Sequence, residues 1–164
     1  MSVTQKTLNS DIFSIFYNML DSKLTDPLSS SRNKWIFSVF PESNINTIGY
    51  PIIIISPADT RHDYFTIAQK KDIITIRIEV YATAMVTADE LLSDINFEIE
   101  NYIPDLRCNN LFDIMQGETY TSFETRGGTR AHIRGTIWNM KMTFPKGANL
   151  RPKIEEINAS GRIA

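Results

Sequence analysis

The chain has 164 residues, 42% of them hydrophobic and 22% charged, the size and balance of one globular domain with a real core. A net charge of −2 argues against broad nonspecific DNA binding, which requires many phosphate-neutralising cations. The one cysteine, Cys108, cannot form an internal disulfide, so nothing marks an oxidising compartment.

The first residues lack the charged-then-apolar layout of a signal peptide. No apolar run approaches the roughly 20 residues needed to span a bilayer. Synthesis and action in a cytoplasm-like compartment, away from membranes, are expected.

Residues 6–24 read as an amphipathic helix. Leu8, Ile12, Ile15, Phe16, Met19 and Leu20 recur at helical spacing, which places them on one stripe. Asp26-Pro27 closes it, because the residue before proline disfavours helical angles. Residues 28–33, with three consecutive serines, read as a flexible connection. Residues 34–40 read as a strand, with Trp35, Phe37 and Val39 alternating with their neighbours. After a turn-rich connection, residues 50–56 read as a second strand. Ile52–Ile55 make it apolar on both faces, as in a central strand covered on both sides. Pro51 must then stand at its beginning.

Residues 57–71 read as a polar loop. Residues 72–83 give the clearest alternation: Ile74, Ile76, Ile78 and Val80 on one face, Thr75, Arg77, Glu79 and Tyr81 on the other. Residues 87–103 read as a second helix. Thr87 and Glu90 match a capping box, Leu91, Leu92, Ile95, Ile99, Tyr102 and Ile103 form the buried stripe, and Pro104 ends the helix. Asp89, Glu90, Asp94 and Glu98 leave its remaining surface acidic. Residues 109–116 fit either a short helix or a lead-in strand.

A long hairpin follows. Residues 119–126 run up, Gly127-Gly128 turns, and residues 129–144 run back. Two glycines accept the positive φ angles of a type I′ turn. A two-residue turn pairs Arg126 with Thr129, Phe123 with His132 and Tyr120 with Gly135, letting the Tyr120 ring cover the bare glycine. Apolar residues sit at odd positions near the tip (Ile133, Ile137) and at even positions near the root (Trp138, Met140, Met142). Because a one-residue shift reverses every side chain, this change of parity predicts a bulge or a sharp twist near residues 135–138. The tip then forms a polar, basic arm reaching beyond the domain, or the hairpin is a curved but ordinary strand pair within it. Residues 146–164 show no apolar periodicity and read as an extended or flexible tail. The expected fold is α+β: a mixed, mainly antiparallel sheet packed against two helices, with residues 1–145 as one domain.

No catalytic or metal motif stands out. Asp59, His62 and Asp63 form the one titratable cluster, and a solvated loop explains it, as does an incidental thiol for Cys108. Gly127-Gly128 precedes no helix and is no phosphate loop. Arg126, Arg130 and Arg134 leave open a β-ribbon that enters a nucleic-acid groove.

The order of helix, three strands, helix, hairpin and tail resembles the tail terminator, or tail-completion, proteins of long-tailed bacteriophages. The residues carrying the likeness are the helix around 12–20, the strands 35–40 and 50–56, the strand 73–82 leading into the helix 88–103, and the hairpin to Phe144. The resemblance implies a structural virion protein without catalysis or cofactor, assembled in the host cytoplasm. It implies a homo-oligomer, a hexameric ring that caps the tail tube protein and offers a surface to the head connector. It further implies that DNA passes through the lumen without specific binding. A head-to-tail neck protein is the neighbouring alternative. Under this reading the subunit contacts are Phe123, Arg126, Gly127, Gly128, Thr129, Arg130, His132 and Arg134 on the hairpin, Asp59, Arg61 and His62 on the loop, and Arg77, Glu79 and Tyr81 on the outer strand face. Asp89, Glu90, Asp94 and Glu98 are expected to line the lumen or face solvent.

Overall fold

The computed structural model describes residues 8–64, 69–126 and 128–145. Helix α1 is Leu8–Lys23, strand β1 Ile36–Phe37, the single turn α2 Ile45–Ile48, β2 Ile52–Tyr64, β3 Gln69–Ala82, α3 Met85–Cys108, β4 Leu111–Arg126 and β5 Thr129–Pro145. The strands form one mixed sheet in the order β1-β2-β3-β5-β4, with β1 parallel to β2 and every other pair antiparallel. The fold is α+β, as the periodicities predict. No helix among the described residues is long and apolar enough to cross a membrane.

Both faces of the sheet carry a core. On one, α1 and α3 lay Ile12, Phe16, Leu20, Leu92, Ile95 and Ile99 against Ile53, Ile55, Ile74, Ile76, Ile78, Trp138, Met140 and Met142. On the other, Ile45 and the half-buried Phe37, Phe40, Ile48 and Tyr50 cover Ile52, Ile54, Tyr81, Ala131 and Ile133 at one end of the sheet. The all-apolar run Ile52–Ile55 follows from this: β2 is buried on both sides.

The same arrangement overturns the bulge expected in β5. That strand pairs with β3 without interruption from Gln69↔Pro145 to Ala82↔His132. Its parity changes because Ala131 and Ile133 belong to one core and Trp138, Met140 and Met142 to the other. The register shifts lie on the partner strands: in β2 between Pro57 and Asp59, in β4 between Phe112 and Met115, and in β4 between Gln116 and Thr119, directly opposite residues 136–138, so the irregularity falls near the expected place in the hairpin but on β4.

Other expectations also change. The polar loop at residues 57–71 is mostly strand. β2 continues to Tyr64 and β3 begins at Gln69, with cross-strand pairing such as Arg61↔Ile73 and His62↔Asp72. The strand at 34–40 shrinks to two residues. The ambiguous residues 109–116 enter β4. Helix α3 starts at Met85 with Ala84 as N-cap and no side-chain cap. Thr87 therefore stands in the third helical position, and the capping box does not form. Pro104 lies inside α3. It is exposed, so the Glu100 carbonyl it leaves unpaired can meet water. Leu106, fully buried, anchors the last turn.

The connection after α1 is no loose linker. The Arg32 Nη2 and Nε donate to the two Asp26 carboxylate oxygens at 2.5 and 2.8 Å. Its Nη1 donates to the Gly49 carbonyl at 2.7 Å and to that of Ile48 at 3.3 Å. The Arg32 and Asp26 side chains are only 4% and 10% exposed. This pair ties the end of the first helical segment to the approach to β2. Gly127 and the tail, residues 146–164, lie outside the described residues.

Candidate assembly surface

The hairpin tip is bound to its own domain, which corrects the expectation of an arm reaching beyond the body. The Arg126 Nε donates to Glu124 at 2.6 Å, and its Nη1 donates to Glu42 at 2.8 Å. Its guanidinium lies 4.4 Å from the Phe40 ring centroid. The bond to Glu124 leads in raising the affinity of Arg126 for its proton. Phe40, Glu42, Ile45 and Arg126 enclose a shallow cleft of about 260 Å³ where the tip meets the segment before α2.

Behind the tip, three strands meet at one carboxylate. Tyr120 and Glu79 each stand opposite Gly135 on either side of β5. The Tyr120 ring crosses the glycine, and its hydroxyl donates to the Glu79 Oε1 at 2.5 Å. Tyr81 donates to the Glu79 Oε2 at 3.2 Å. Burial, reinforced by Glu79, raises the pKa of both tyrosines, so both remain donors across the ordinary pH range. A Cβ at Gly135 would collide with the tyrosine ring. The predicted cover of Gly135 by Tyr120 is present, and the structural reason is the reach to Glu79. Gly135→Ala is therefore expected to displace the ring and lower the unfolding free energy by about 1–2 kcal/mol. Urea unfolding checks this. Tyr120→Phe in the Gly135→Ala background should add little, because the bond is already broken.

The expected contact residues divide accordingly. Glu79 is held by two tyrosines and Tyr81 is buried beside Phe40, with ring centroids 5.0 Å apart; neither is free to meet a neighbour. Arg134 is paired with Asp89 of α3 and donates to the Thr121 hydroxyl. Asp89 thus turns toward the hairpin, although its side chain stays 44% exposed to solvent. Arg130 stacks over Phe123 at 4.4 Å, and His132 is half-buried opposite Phe123. Phe123 is 64% exposed. Gly128 has φ +77°, the conformation the turn requires. Thr129, Arg77, Asp59 and Arg61 are exposed, as are Glu90 and Asp94, while Glu98 is half-buried. His62 is placed only by its backbone pairing with Asp72.

Three participants escape sequence reading: Phe40, Glu42 and Glu124. Glu42 and Arg126 are 84 residues apart, and no periodicity links them. Among the described residues, no group of three His, Cys, Asp or Glu is placed to hold a metal ion.

The feature left open is the edge of the sheet. β4 has 16 residues and, among the described residues, pairs only on its β5 side. Its one buried residue is Leu111, and Met115 is 61% exposed. Near Asp113 the edge is irregular, with φ +49° and a 2.6 Å ion pair to Lys141. From Thr119 to Arg126 the pairing is unbroken. That stretch presents a regular row of backbone donors and acceptors, the template onto which another strand adds. No family model matches the chain, and no curated protein is significantly similar to it.

Proposed function

We propose that the chain is a structural protein of a long-tailed phage that ends the tail tube with a ring of copies and joins tail to head. The observation that carries this reading is the regular free edge of β4 over residues 119–126. Soluble proteins usually shorten, charge or cover such an edge; an open one serves pairing with another chain. On the opposite side β1 covers only Ile53 and Ile54, so among the described residues that edge from Ile55 to Tyr64 is β2 itself, bulged between Pro57 and Asp59. The two edges are unlike, so an edge contact to a different patch on the next copy is head-to-tail. Contacts of that kind close into rings when the rotation per copy divides the circle. Six copies, bound to tail tube protein on one side and a head connector on the other, fit the order of elements.

The engaged arginines favour this over a nucleic-acid ribbon. Arg126 and Arg134 are paired with Glu124, Glu42 and Asp89, and phosphate would have to displace those carboxylates. DNA then passes through the ring without specific binding.

Electron microscopy of particles assembled without this protein tests the reading. Overlong or headless tails are expected. Normal tails beside leaking heads would move the protein to the head side of the joint, and unaltered particles would remove it from the virion.

A further inference from the structure

The outer face of α3 carries an apolar line that nothing in the described residues covers. Val86 and Phe97 are 66% and 61% exposed. They are eleven residues apart, three helical turns, and so stand on one line about 16 Å long. That line is opposite the buried stripe of Ala88, Leu92, Ile95 and Ile99. Glu90, Asp94, Glu100 and Asp105, all exposed, flank it. Two unfavourable features thus share one face: exposed apolar groups and like charges on successive turns.

The chain has a segment suited to that face. Nineteen residues follow Pro145, where β5 ends. β5 ends beside the C-terminal end of α3, because the Asn110 side-chain amide donates to the Thr143 carbonyl at 2.8 Å. Extended, nineteen residues reach about 60 Å, whereas α3 with its 24 residues is about 36 Å long. The segment holds Lys146, Arg151, Lys153 and Arg162 against Glu155 and Glu156, a positive balance facing an acidic helix. Leu150 and Ile154 bracket Arg151 and Lys153, about 13 Å apart in an extended chain, close to the spacing of Phe97 and Val86.

We infer that residues 146–164 dock on the outer face of α3 of the same chain, running from its C-terminal end toward Val86. Leu150 meets Phe97 and Ile154 approaches Val86, while Arg151 and Lys153, on the alternate side of the extended segment, reach around it with their long side chains to Glu90 and Asp94 at its flank. The inference stands independently of any place in a phage tail. A ring partner that approaches this face has to displace the segment first.

Disulfide trapping in the full-length chain tests it. Phe97→Cys is combined with Leu150→Cys in a Cys108→Ser background, and the protein is oxidised with diamide at low salt. A control pair joins Leu150→Cys with Val39→Cys, a 75% exposed site. The expected result is an intrachain disulfide forming about tenfold faster than in the control, a gain from local concentration. The advantage should fall several-fold in 0.5 M salt, where screening weakens exposed charge pairs to about a few ångströms of range, and on adding Glu90→Lys with Asp94→Lys. Trapping no faster than the control overturns the inference. So does a product linked between chains, which would place the segment on a neighbouring copy. All substitutions are at exposed positions of the domain or within the tail, so folding is preserved and checked by circular dichroism.

Discussion

Arg32→Ala is expected to lower the unfolding free energy by about 3–5 kcal/mol, the cost of breaking a buried ion pair by removing one partner. The Arg32 side chain is 4% exposed and that of Asp26 10%, so Asp26 would remain buried without its counter-charge. The Gly49 and Ile48 carbonyls would lose their donor, and Trp35 the guanidinium 5.7 Å from its ring centroid. For a domain of this size the loss corresponds to about 8–16 °C in Tm, read by thermal unfolding. Arg32→Lys should recover only part of it, because an ammonium cannot reproduce the fork that spans one carboxylate and two carbonyls.

The same pair gives a pH signature. Burial opposes the charge on Asp26, but the Arg32 hydrogen bonds, the Leu28 N–H and the Arg32 charge outweigh it and hold the carboxyl below its ordinary value of 3.8. A depressed folded-state pKa means that the unfolded state takes up the proton first. The pair's contribution is therefore complete above the ordinary carboxylate range and is lost as pH falls through the lowered value. Melting curves between about pH 2 and pH 6 should show a steeper acid loss for the native chain than for Arg32→Ala. Parallel curves would mean that Asp26 is not held by Arg32 in solution.

Thr125→Pro is expected to abolish assembly while leaving the fold intact. Arg126 pairs with Thr129 across a two-residue turn, and hydrogen-bonded and outward-facing positions alternate along β4. Thr121, Phe123 and Thr125 then turn their N–H groups to the free edge. Proline at 125 removes an outward donor and spares the ladder to β5, so its cost to the domain is about 1 kcal/mol or less. An added strand over residues 119–126 makes about eight backbone hydrogen bonds, two at each of four outward residues. Proline at 125 removes one of them, about 1 kcal/mol or fivefold per contact, and a closed ring of six such contacts sums that to about 6 kcal/mol. Light scattering should show a hexamer, or assembly that grows with concentration, for the native chain and a monomer with nearly unchanged Tm for Thr125→Pro. A native chain that stays monomeric at high concentration with tube protein present would sink the ring. A variant that still assembles would move the contact away from β4.

Much of the fold was legible because its signals are local. The apolar spacing around Ile12–Leu20 and Leu91–Ile99 places two helices on the core, and the alternation Ile74–Val80 gives β3 with its buried face. The pairing of Tyr120 with Gly135 follows from the turn length alone. The capping box failed because Thr87 is preceded by Met85 and Val86, which the helix already includes. Pro104 failed as a stop because burial of Leu106 outweighs one missing hydrogen bond.

The sequence by itself determined the α+β class, the long hairpin and the faces of its strands, since each depends on residues a few positions apart. Only the tertiary structure decided what those faces meet. β5 serves two cores on opposite sides of one sheet, so its parity change is no bulge. The hairpin tip is fastened through Arg126 to Glu42 and Phe40, and among the described residues the edge of β4 is left unpaired. These outcomes depend on pairs 40 to 84 residues apart, such as Tyr120 with Glu79 and Arg126 with Glu42. Such contacts arise only when the sheet closes, because strand order, not spacing along the chain, sets who becomes a neighbour.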